Sequence, residues 1–173
     1  MCKVATLLLV ATFVLSATAA IRADEEMGMM DRTELSLSAA WVDVADITAM
    51  MFAAHYGKYL TPNLAVQLGA LYANLDEGGS EVTGWALAPE VAYHFISETT
   101  TTTVPYVGVG WYFFNVDDLD VDDNGLEAFV GAKFFMNGDY QTSNHAFFVE
   151  YRYLNDVAGE NVNSVLIGIT NFF

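Results

Sequence analysis

Five aspartates lie within the eleven residues NVDDLDVDDNG, positions 115–125, between two apolar runs. The segment from Asp120 to Gly125 has the pattern D-V-D-D-N-G, which matches the first six positions of an EF-hand calcium loop. The twelfth position of such a loop should be a bidentate glutamate, and here it is Gly131. The segment is therefore not an EF-hand, although clustered carboxylates could still collect a divalent cation weakly, with water completing the shell.

The weak cation site has five candidate ligands, which are Asp117, Asp118, Asp120, Asp122 and Asp123. The simpler interpretation is a solvated acidic loop that keeps an exposed hairpin soluble. At physiological salt, the repulsion between exposed charges is screened within about 8 Å, so such a loop is tolerable without a bound ion.

Hydrolytic chemistry would need a nucleophile beside a base, and the candidates are few. The histidines are His55, His94 and His145, the last of them in the sequence Ser143-Asn144-His145. No serine, histidine and acid converge in the sequence pattern as a catalytic set would. We therefore expect no catalytic residues, no enzymatic activity and no cofactor, and we expect the histidines to lie at the rims of the fold.

The bulk composition limits the class of partner. The formal net charge is -16, with only 6 lysines and arginines in 173 residues. Phosphate binding needs a basic patch, so nucleic acid is excluded as a partner. Hydrophobic residues make up 54% of the chain and charged residues only 16%, with many aromatics and 3 prolines, which favours strands over helices.

The first residues differ from the rest of the chain. MCKVATLLLVATFVLSATAA has one early cation, an apolar run and then small residues, which is typical of a secretory signal peptide. The run is shorter than the roughly 20 residues of a membrane-spanning helix. We expect a signal peptide over 1–19 and a periplasmic lead-in over 20–32. Cys2, the single cysteine, is lost with the signal peptide, so the mature chain can form no disulfide.

The remainder divides into segments of ten to fourteen residues with period-two alternation, separated by turn residues. A membrane-spanning strand needs about 9–11 residues, so each segment is long enough to cross a bilayer. The eight segments are 33–43, 47–59, 63–75, 82–95, 104–116, 125–136, 145–155 and 162–173.

The two faces of these segments differ in size more than in polarity. In the fourth segment the bulky face carries Trp85, Leu87, Val91, Tyr93 and Phe95. The other face is mostly glycine, alanine and serine with a few charges, which would solvate a sheet poorly. A soluble sandwich or lipocalin-like barrel is the alternative. The pattern favours bulky residues toward lipid and small residues toward a narrow lumen. We predict an all-β, eight-stranded, antiparallel up-and-down transmembrane barrel over 33–173.

Charges on the small face should point into this lumen. Charges in a low-dielectric interior persist only when they are paired and hydrogen-bonded. We expect either a structural ion-pair network that fills the barrel or a gate whose pairs exchange to open a pore. The seven expected lumen charges are Glu34, Lys58, Glu90, Glu127, Lys133, Glu150 and Arg152.

Four stretches carry a resemblance to a known family. GKYLTPNLAVQLGALY (57–72) has an aromatic strand end, a Pro-Asn turn and an apolar strand, and VPYVGVGWYF (104–113) has a Pro-Tyr-x-Gly-x-Gly pattern. FVEYRYLND (148–156) precedes a last strand that ends in Phe173, with Asn171 as the one departure from its apolar alternation. With the signal peptide, these stretches resemble the small Gram-negative outer-membrane β-barrels, the OmpA-like and opacity-porin-like group.

This resemblance implies a location and a set of partners. It implies an outer-membrane protein that contacts lipid and lipopolysaccharide, and a terminal Phe173 that the barrel-assembly machinery reads. It also implies periplasmic termini, which would put the acid-rich connections outside the cell. There they could share the divalent cations that bridge lipopolysaccharide phosphates. We expect a monomer.

The resemblance leaves the function open between classes. We expect a structural or surface-interaction protein with a side-chain-filled lumen. The alternative is a narrow pore or hydrophobic-solute channel of the OmpW-like kind. A lipid A-modifying enzyme is a third class, but it would need serine and histidine at the outer rim, whereas the three histidines fall toward the other end.

Overall fold

The computed structural model describes residues 32–44, 47–77, 80–96, 102–116, 121–136, 138–157 and 160–173. Each strand pairs antiparallel with the next, and β1 pairs with β8, so the sheet closes into a barrel. None of the described residues forms a helix long and apolar enough to cross a membrane. The strands are β1 (Thr33–Val44), β2 (Ile47–Tyr59), β3 (Leu64–Glu77), β4 (Ser80–His94), β5 (Thr103–Val116), β6 (Val121–Phe135), β7 (His145–Val157) and β8 (Glu160–Phe172).

The predicted fold class is confirmed, and the strands extend further than expected at one end. That end, here called the acid-rich end, contains the connections β1–β2, β3–β4, β5–β6 and β7–β8. Pairing runs to Val44 opposite Ile47 and to Glu77 opposite Ser80, so only two residues separate the paired strands there. Acidic residues that we expected in loops are therefore part of strands: Asp76, Glu77, Glu81, Asp122, Asp123, Asp156 and Glu160.

At the opposite end, here called the terminal end, the start of the first strand meets the end of the last strand. Thr33 and Phe173 exchange two backbone hydrogen bonds, of 3.1 and 2.9 Å. The Pro-Asn turn is held to β4, because Asn63 Nδ2 donates to the His94 carbonyl at 2.7 Å and His94 N donates to the Asn63 carbonyl. At this end, backbone hydrogen bonds between the first and last strands hold the barrel closed.

The outer face is apolar over its whole circumference. Alternate residues of the strands expose large hydrophobic side chains, and Ile167 and Val109 are more than half exposed, at 63% and 60%. A soluble monomer rarely exposes a continuous apolar surface of this size. Such a face is suited to the hydrocarbon of a membrane. Because the sheet is closed, few backbone polar groups are left exposed to that hydrocarbon.

The interior is filled by pairing glycine with a large side chain on the neighbouring strand. Tyr106 lies opposite Gly131, and Gly108 lies opposite Phe129. A Cβ atom on Gly131 would lie 2.6 Å from the Tyr106 ring, and one on Gly108 would lie 2.1 Å from the Phe129 ring. Each glycine therefore provides the space that its aromatic partner occupies, which is how an eight-stranded barrel fills its narrow interior.

Apolar side chains pack together in the lumen toward both ends. At the terminal end a cluster here called the terminal cap consists of Tyr59, Ala65, Val104, Phe135, Ala146 and Phe172. Toward the acid-rich end lie two further apolar clusters, here together called the distal plug. One contains Ala40, Met51, Ala53, Ala73 and Leu166, and the other contains Ala88, Tyr112 and Leu154. Along the strands, the buried charges of the strand residues lie between the terminal cap and the distal plug, whereas the buried Arg32 lies at the terminal end, over the Phe172 ring.

Candidate functional site: the charged lumen

The structure places six of the seven expected charges on the buried face and one on the outer face. Glu34, Glu90, Glu127, Lys133, Glu150 and Arg152 are all buried. The expectation for Lys58 was wrong, because its side chain is exposed and its neighbours Gly57 and Tyr59 take the inward positions. Near a strand end, an outward lysine can extend its apolar stem along the barrel and keep its ammonium at the interface.

Arg152 on β7 is the centre of the first charge cluster, here called the Arg152 cluster. Its Nη1 atom donates to Glu90 Oε1 at 2.7 Å and to Glu127 Oε2 at 2.9 Å. Its Nε atom donates to Glu150 Oε1 at 2.9 Å. The guanidinium also lies over the Phe129 ring, with its central carbon 4.7 Å from the ring centroid. One cation thus joins three glutamates from three strands, which is what makes its burial tolerable.

His55 on β2 belongs to the same cluster. Its Nε2 atom lies 3.1 Å from Arg152 Nη2 and 3.4 Å from Glu90 Oε1. Because a guanidinium can only donate, Nε2 accepts this hydrogen bond and carries no proton of its own. The imidazole of His55 therefore adds no positive charge to the cluster.

Lys133 on β6 is the centre of a second cluster, here called the Lys133 cluster, nearer the terminal end. Its Nζ atom donates to Glu34 Oε2 at 2.5 Å and lies 3.1 Å from His94 Nε2. The Tyr59 hydroxyl donates to Glu34 at 3.1 Å, and Gln67 donates to the other oxygen of Glu34. The ammonium is thus held by a carboxylate, a phenol and an imidazole.

Tyr106 on β5 connects the two clusters. Its hydroxyl donates to Glu150 Oε2 at 2.9 Å, while Arg152 occupies the other oxygen of Glu150. The Lys133 ammonium lies 5.3 Å from the centroid of the Tyr106 ring, within cation–π range. Charges on both sides of this tyrosine are therefore joined in one network along the lumen.

Little free space remains among these side chains. A cavity of about 10 Å³ lies between the two clusters, and a single water needs about that much. It is lined by Glu34, Ser36, His55, Gln67, Tyr106, Lys133, Phe148 and Glu150. Among the described residues, the side chains of the two clusters surround this small cavity and fill the lumen around it.

Sequence reasoning missed several members of the network and misplaced two histidines. We expected His55 and His94 at the rim, but both are buried in the lumen, as are Tyr59 and Tyr106. Alternation was the available signal, since each lies an even number of positions from a buried residue on its strand. Period two gives the face of a residue and not its depth.

The remaining histidine lies away from this network. His145 is exposed, and its Nδ1 atom lies 2.6 Å from Asn171 Oδ1. Ser143 Oγ donates to the His145 carbonyl at 2.8 Å, so its proton goes to the backbone and not to an imidazole. Neither contact is the hydroxyl-to-imidazole bond of a hydrolytic pair.

The candidate cation ligands fall partly outside the described residues. Asp117, Asp118 and Asp120 lie there, whereas Asp122 and Asp123 lie in β6, opposite Asn115 and Phe114. From Val121 onward the backbone is extended, so the segment does not form the turn of a calcium loop. Within the residues that the structure describes, no group of three histidine, cysteine, aspartate or glutamate side chains is placed to hold a metal ion.

Arg32 is more ordered than a periplasmic lead-in predicts. Its guanidinium donates to the carbonyls of Tyr140 and Ser143 at 2.8 and 3.0 Å, and to Asn144 Oδ1 at 2.9 Å. It also stacks over the Phe172 ring, 5.0 Å from the centroid. Burial lowers the pKa of Arg32 from its ordinary value, although a guanidinium stays charged at neutral pH. The remaining residues of the expected signal peptide and lead-in lie outside the described part of the chain.

Comparison with known proteins supports the fold. No family model and no curated protein matches the sequence. The structure of the N-terminal β-barrel domain of Pseudomonas aeruginosa OprF matches with 17% identity and a TM-score of 0.57, over 83% of this chain and 98% of that chain. Neisserial surface protein A matches with 15% identity and a TM-score of 0.59, over 82% and 96%. The outer membrane protein OprG of P. aeruginosa matches with 10% identity and a TM-score of 0.57, over 83% and 96%.

These identities are low, so the similarity concerns the fold. The matched proteins are small outer-membrane barrels, and each is covered almost completely by this chain. The resemblance that the sequence motifs indicated is thereby confirmed at the level of fold: this chain is a closed eight-stranded β-barrel of the outer-membrane type.

Proposed function

We propose that this protein is an integral outer-membrane barrel with a closed, side-chain-filled lumen, and that it acts through its surface. The observation that carries the proposal is the order of side chains along the lumen. The Lys133 and Arg152 clusters lie between the terminal cap and the distal plug. An ion entering from either end would have to pass an apolar layer before it reached the Lys133 or the Arg152 cluster, and apolar layers exclude hydrated ions.

The charged middle supports the same proposal. Arg152 is 3% exposed and has three carboxylate partners, and Lys133 is equally buried. Removing one partner of an ion pair that is buried this deeply destabilises the folded protein by about 3–5 kcal/mol. Such a pair therefore resists rearrangement. The network is therefore a structural filling of the barrel.

The connections that could contact a partner at the acid-rich end are short. At the acid-rich end, three connections separate the paired strands by two residues, and the fourth comprises 117–120. Such short connections offer no long adhesive loops. All six lysines and arginines lie elsewhere in the chain, so the charged residues of this rim are all acidic. The proposed partners are membrane lipid and lipopolysaccharide, whose phosphates would share divalent cations with the rim, and the protein acts as a monomer.

Planar-bilayer recording of the purified protein tests the closed lumen. We expect a folded barrel that is electrically silent, with or without millimolar Ca²⁺. Discrete and repeatable openings would overturn the proposal and would make the pore the primary function. A protein that partitions away from the outer membrane on fractionation would contradict the location.

One observation favours a second function, a channel for hydrophobic solutes. The seam between β1 and β8 is paired from Glu34–Phe172 to Ala39–Ile167. Beyond it, the described residues Ala40–Val44 and Glu160–Leu166 show no pairing across the seam. The apolar interior of the distal plug lies beside this gap, with both Ala40 and Leu166 among its members. An apolar solute could pass there between the lumen and the lipid.

A cysteine pair across the seam separates the two functions. Ala40→Cys with Leu166→Cys would occupy positions that continue the β1–β8 register. A disulfide that forms spontaneously in membranes would show a closed seam and support the filled barrel. An absent disulfide, together with uptake of an apolar dye into vesicles containing the protein, would support the channel.

A further inference from the structure

The Arg152 cluster contains more negative than positive charge. Three glutamates, Glu90, Glu127 and Glu150, surround one guanidinium. His55 adds no charge, because its Nε2 atom accepts a hydrogen bond from Arg152. The next cation along the lumen, Lys133, is already bonded to Glu34. If every carboxyl group were ionised, the cluster would retain two uncompensated negative charges in a dry interior, which is very costly.

Hydrogen bonding distinguishes the three carboxyl groups. Both oxygens of Glu150 have donors, from Arg152 Nε and the Tyr106 hydroxyl. By contrast, Glu90 and Glu127 each use one oxygen to accept from the same atom, Arg152 Nη1. The other oxygen of each, Glu90 Oε2 and Glu127 Oε1, is buried without a hydrogen-bond partner. The unsatisfied atoms thus belong to the two groups that share one donor.

The same two groups approach each other closely. Because Arg152 Nη1 lies 2.7 Å from Glu90 and 2.9 Å from Glu127, their carboxyl groups are neighbours. The two oxygens that contact Nη1 are therefore close enough for their charges to interact strongly. Two carboxylates at this range repel, whereas a carboxylic acid and a carboxylate form a short, strong hydrogen bond.

The space around the pair decides what can balance its charge. The unsatisfied Glu127 Oε1 atom packs against the backbone of Gly110, 2.3 Å from where a Cβ atom of that residue would be. Neither Glu90 nor Glu127 lines the 10 Å³ cavity, which lies on the Lys133 side of the cluster. A metal ion with its ligands needs room that these atoms do not leave, whereas a proton needs none.

We propose that Glu90 and Glu127 share one proton at neutral pH and form a buried acid pair that lowers the excess charge around Arg152 from two negative charges to one. Glu127 carries the proton, since Glu90 lies nearer to Arg152 Nη1, at 2.7 Å against 2.9 Å. This proposal rests on the closed lumen proposed above, because water in an open pore would solvate both groups as carboxylates. The groups facing the pair are His55 from β2 and Arg152 and Glu150 from β7, and Tyr106, Lys133 and Glu34 lie one step further away.

The shared proton makes the filling of the lumen sensitive to alkaline pH. An exposed glutamate in the unfolded chain is ionised at neutral pH, so the folded state binds one proton more than the unfolded state. Stability from this pair therefore decreases as pH rises, and ionisation of the second group adds repulsion beside Arg152. We expect the barrel to be most resistant to denaturant at mildly acidic pH.

Infrared spectroscopy of the purified, detergent-solubilised protein tests the proposal directly. A protonated carboxyl group has a carbonyl stretching band that ionised carboxylates lack. We expect this band at neutral pH in the unaltered protein, and its loss at alkaline pH. We expect its loss also in Glu127→Gln and in Glu90→Gln, because either substitution removes the pair. The matched control is Glu150→Gln, which removes an ionised group and should leave the band in place.

The absence of the band at neutral pH would overturn the proposal, whether the charge proves to be balanced by water or by a bound cation detected in metal analysis. Persistence of the band in both Glu127→Gln and Glu90→Gln would overturn it as well. The wild-type measurement needs no variant to fold, so the proposal stays testable if a substitution prevents folding. Conductance reports separately on the closed lumen: a silent barrel without the band contradicts only the acid pair.

Discussion

Gly108 on β5 lies directly opposite Phe129 on β6, and the Phe129 ring occupies the space that a side chain on Gly108 would need. The same ring lies under the Arg152 guanidinium. A glycine on one strand therefore determines the position of an aromatic ring on the next strand, and that ring supports the central cation of the lumen.

Gly108→Ala should destabilise the barrel. The new Cβ atom would lie 2.1 Å from the Phe129 ring, so the ring must move and disturb its contact with Arg152. Overpacking of this kind costs about 1–3 kcal/mol. The denaturant midpoint of the purified protein should fall accordingly. Ala128→Val, on the exposed face of β6, is the matched control and should leave the midpoint nearly unchanged.

A second substitution tests whether the ring is the cause. Phe129→Leu in the Gly108→Ala background shortens the obstructing side chain and should recover part of the lost stability, which a double-mutant cycle would measure as a coupling energy. Equal midpoints for Gly108→Ala and the unaltered protein would show that the two residues are not packed as described.

Arg152→Met should lower stability without opening a pore. The substitution leaves the carboxyl groups of Glu90, Glu127 and Glu150 without their shared cation. Removing one partner of a buried ion pair costs about 3–5 kcal/mol. Equilibrium unfolding in denaturant would measure the loss, and bilayer recording should remain silent because the terminal cap and the distal plug are unchanged.

The control for this prediction is Lys58→Met, which removes a cation from the exposed outer face. An exposed cation contributes at most about 1 kcal/mol to stability even where it has a partner. An unfolding midpoint for Arg152→Met as high as that of Lys58→Met would count against a structural role for the network.

Tyr106→Phe should uncouple the two charge clusters while keeping the ring. The substitution removes the hydroxyl that donates to Glu150 Oε2 and retains the face over which Lys133 lies. A buried acceptor left without its donor costs about 1–3 kcal/mol. Tyr93→Phe, on the exposed face of β4, is the matched control. If Tyr106→Phe lowered stability as much in the Glu150→Gln background as in the unaltered protein, the Tyr106 hydroxyl would not act through Glu150.

The sequence predicted the face of most residues because side chains in a strand alternate with period two. Glu90 and Arg152 follow this alternation, and both were placed in the lumen correctly. The placement of Lys58 was wrong because it followed the charge of the residue. Lys58 lies an odd number of positions from His55 and Tyr59, which face the lumen, so alternation puts it on the outer face. At a strand end near the membrane interface, the outward position accommodates a lysine well.

Depth and partners could not be predicted in the same way. Depth in the lumen depends on the tilt and stagger of the strands, which alternation does not contain. For that reason His94 was expected at the rim and lies against Lys133. The pairing of Lys133 with Glu34 joins β6 to β1, strands that are not neighbours in the sheet. Such contacts across the lumen appear only once the barrel is closed.

The length of the strands was underestimated for a different reason. Acidic residues such as Asp76 and Glu77 were assigned to loops because polar residues usually end a strand. In the structure β3 continues through both, and β4 begins three residues after Glu77, beyond Gly78 and Gly79. A two-residue hairpin is enough to join antiparallel strands. The pairing of β3 with β4 can therefore continue beyond the exposed apolar residues and include these acidic residues.

Arg32→Lys should loosen the terminal end without changing the net charge. Arginine has five donors in a fixed planar fork, and Arg32 uses its two terminal nitrogens on three acceptors in the 140–144 turn. A lysine ammonium lacks this fork and cannot stack on Phe172 in the same way. We expect faster amide exchange at Ser143 and at Phe172, whose N–H groups bond to Asp139 and Asn144. Exchange in β4 near Val91, away from this contact, should stay unchanged, and uniform acceleration throughout the barrel would instead indicate a global loss of stability.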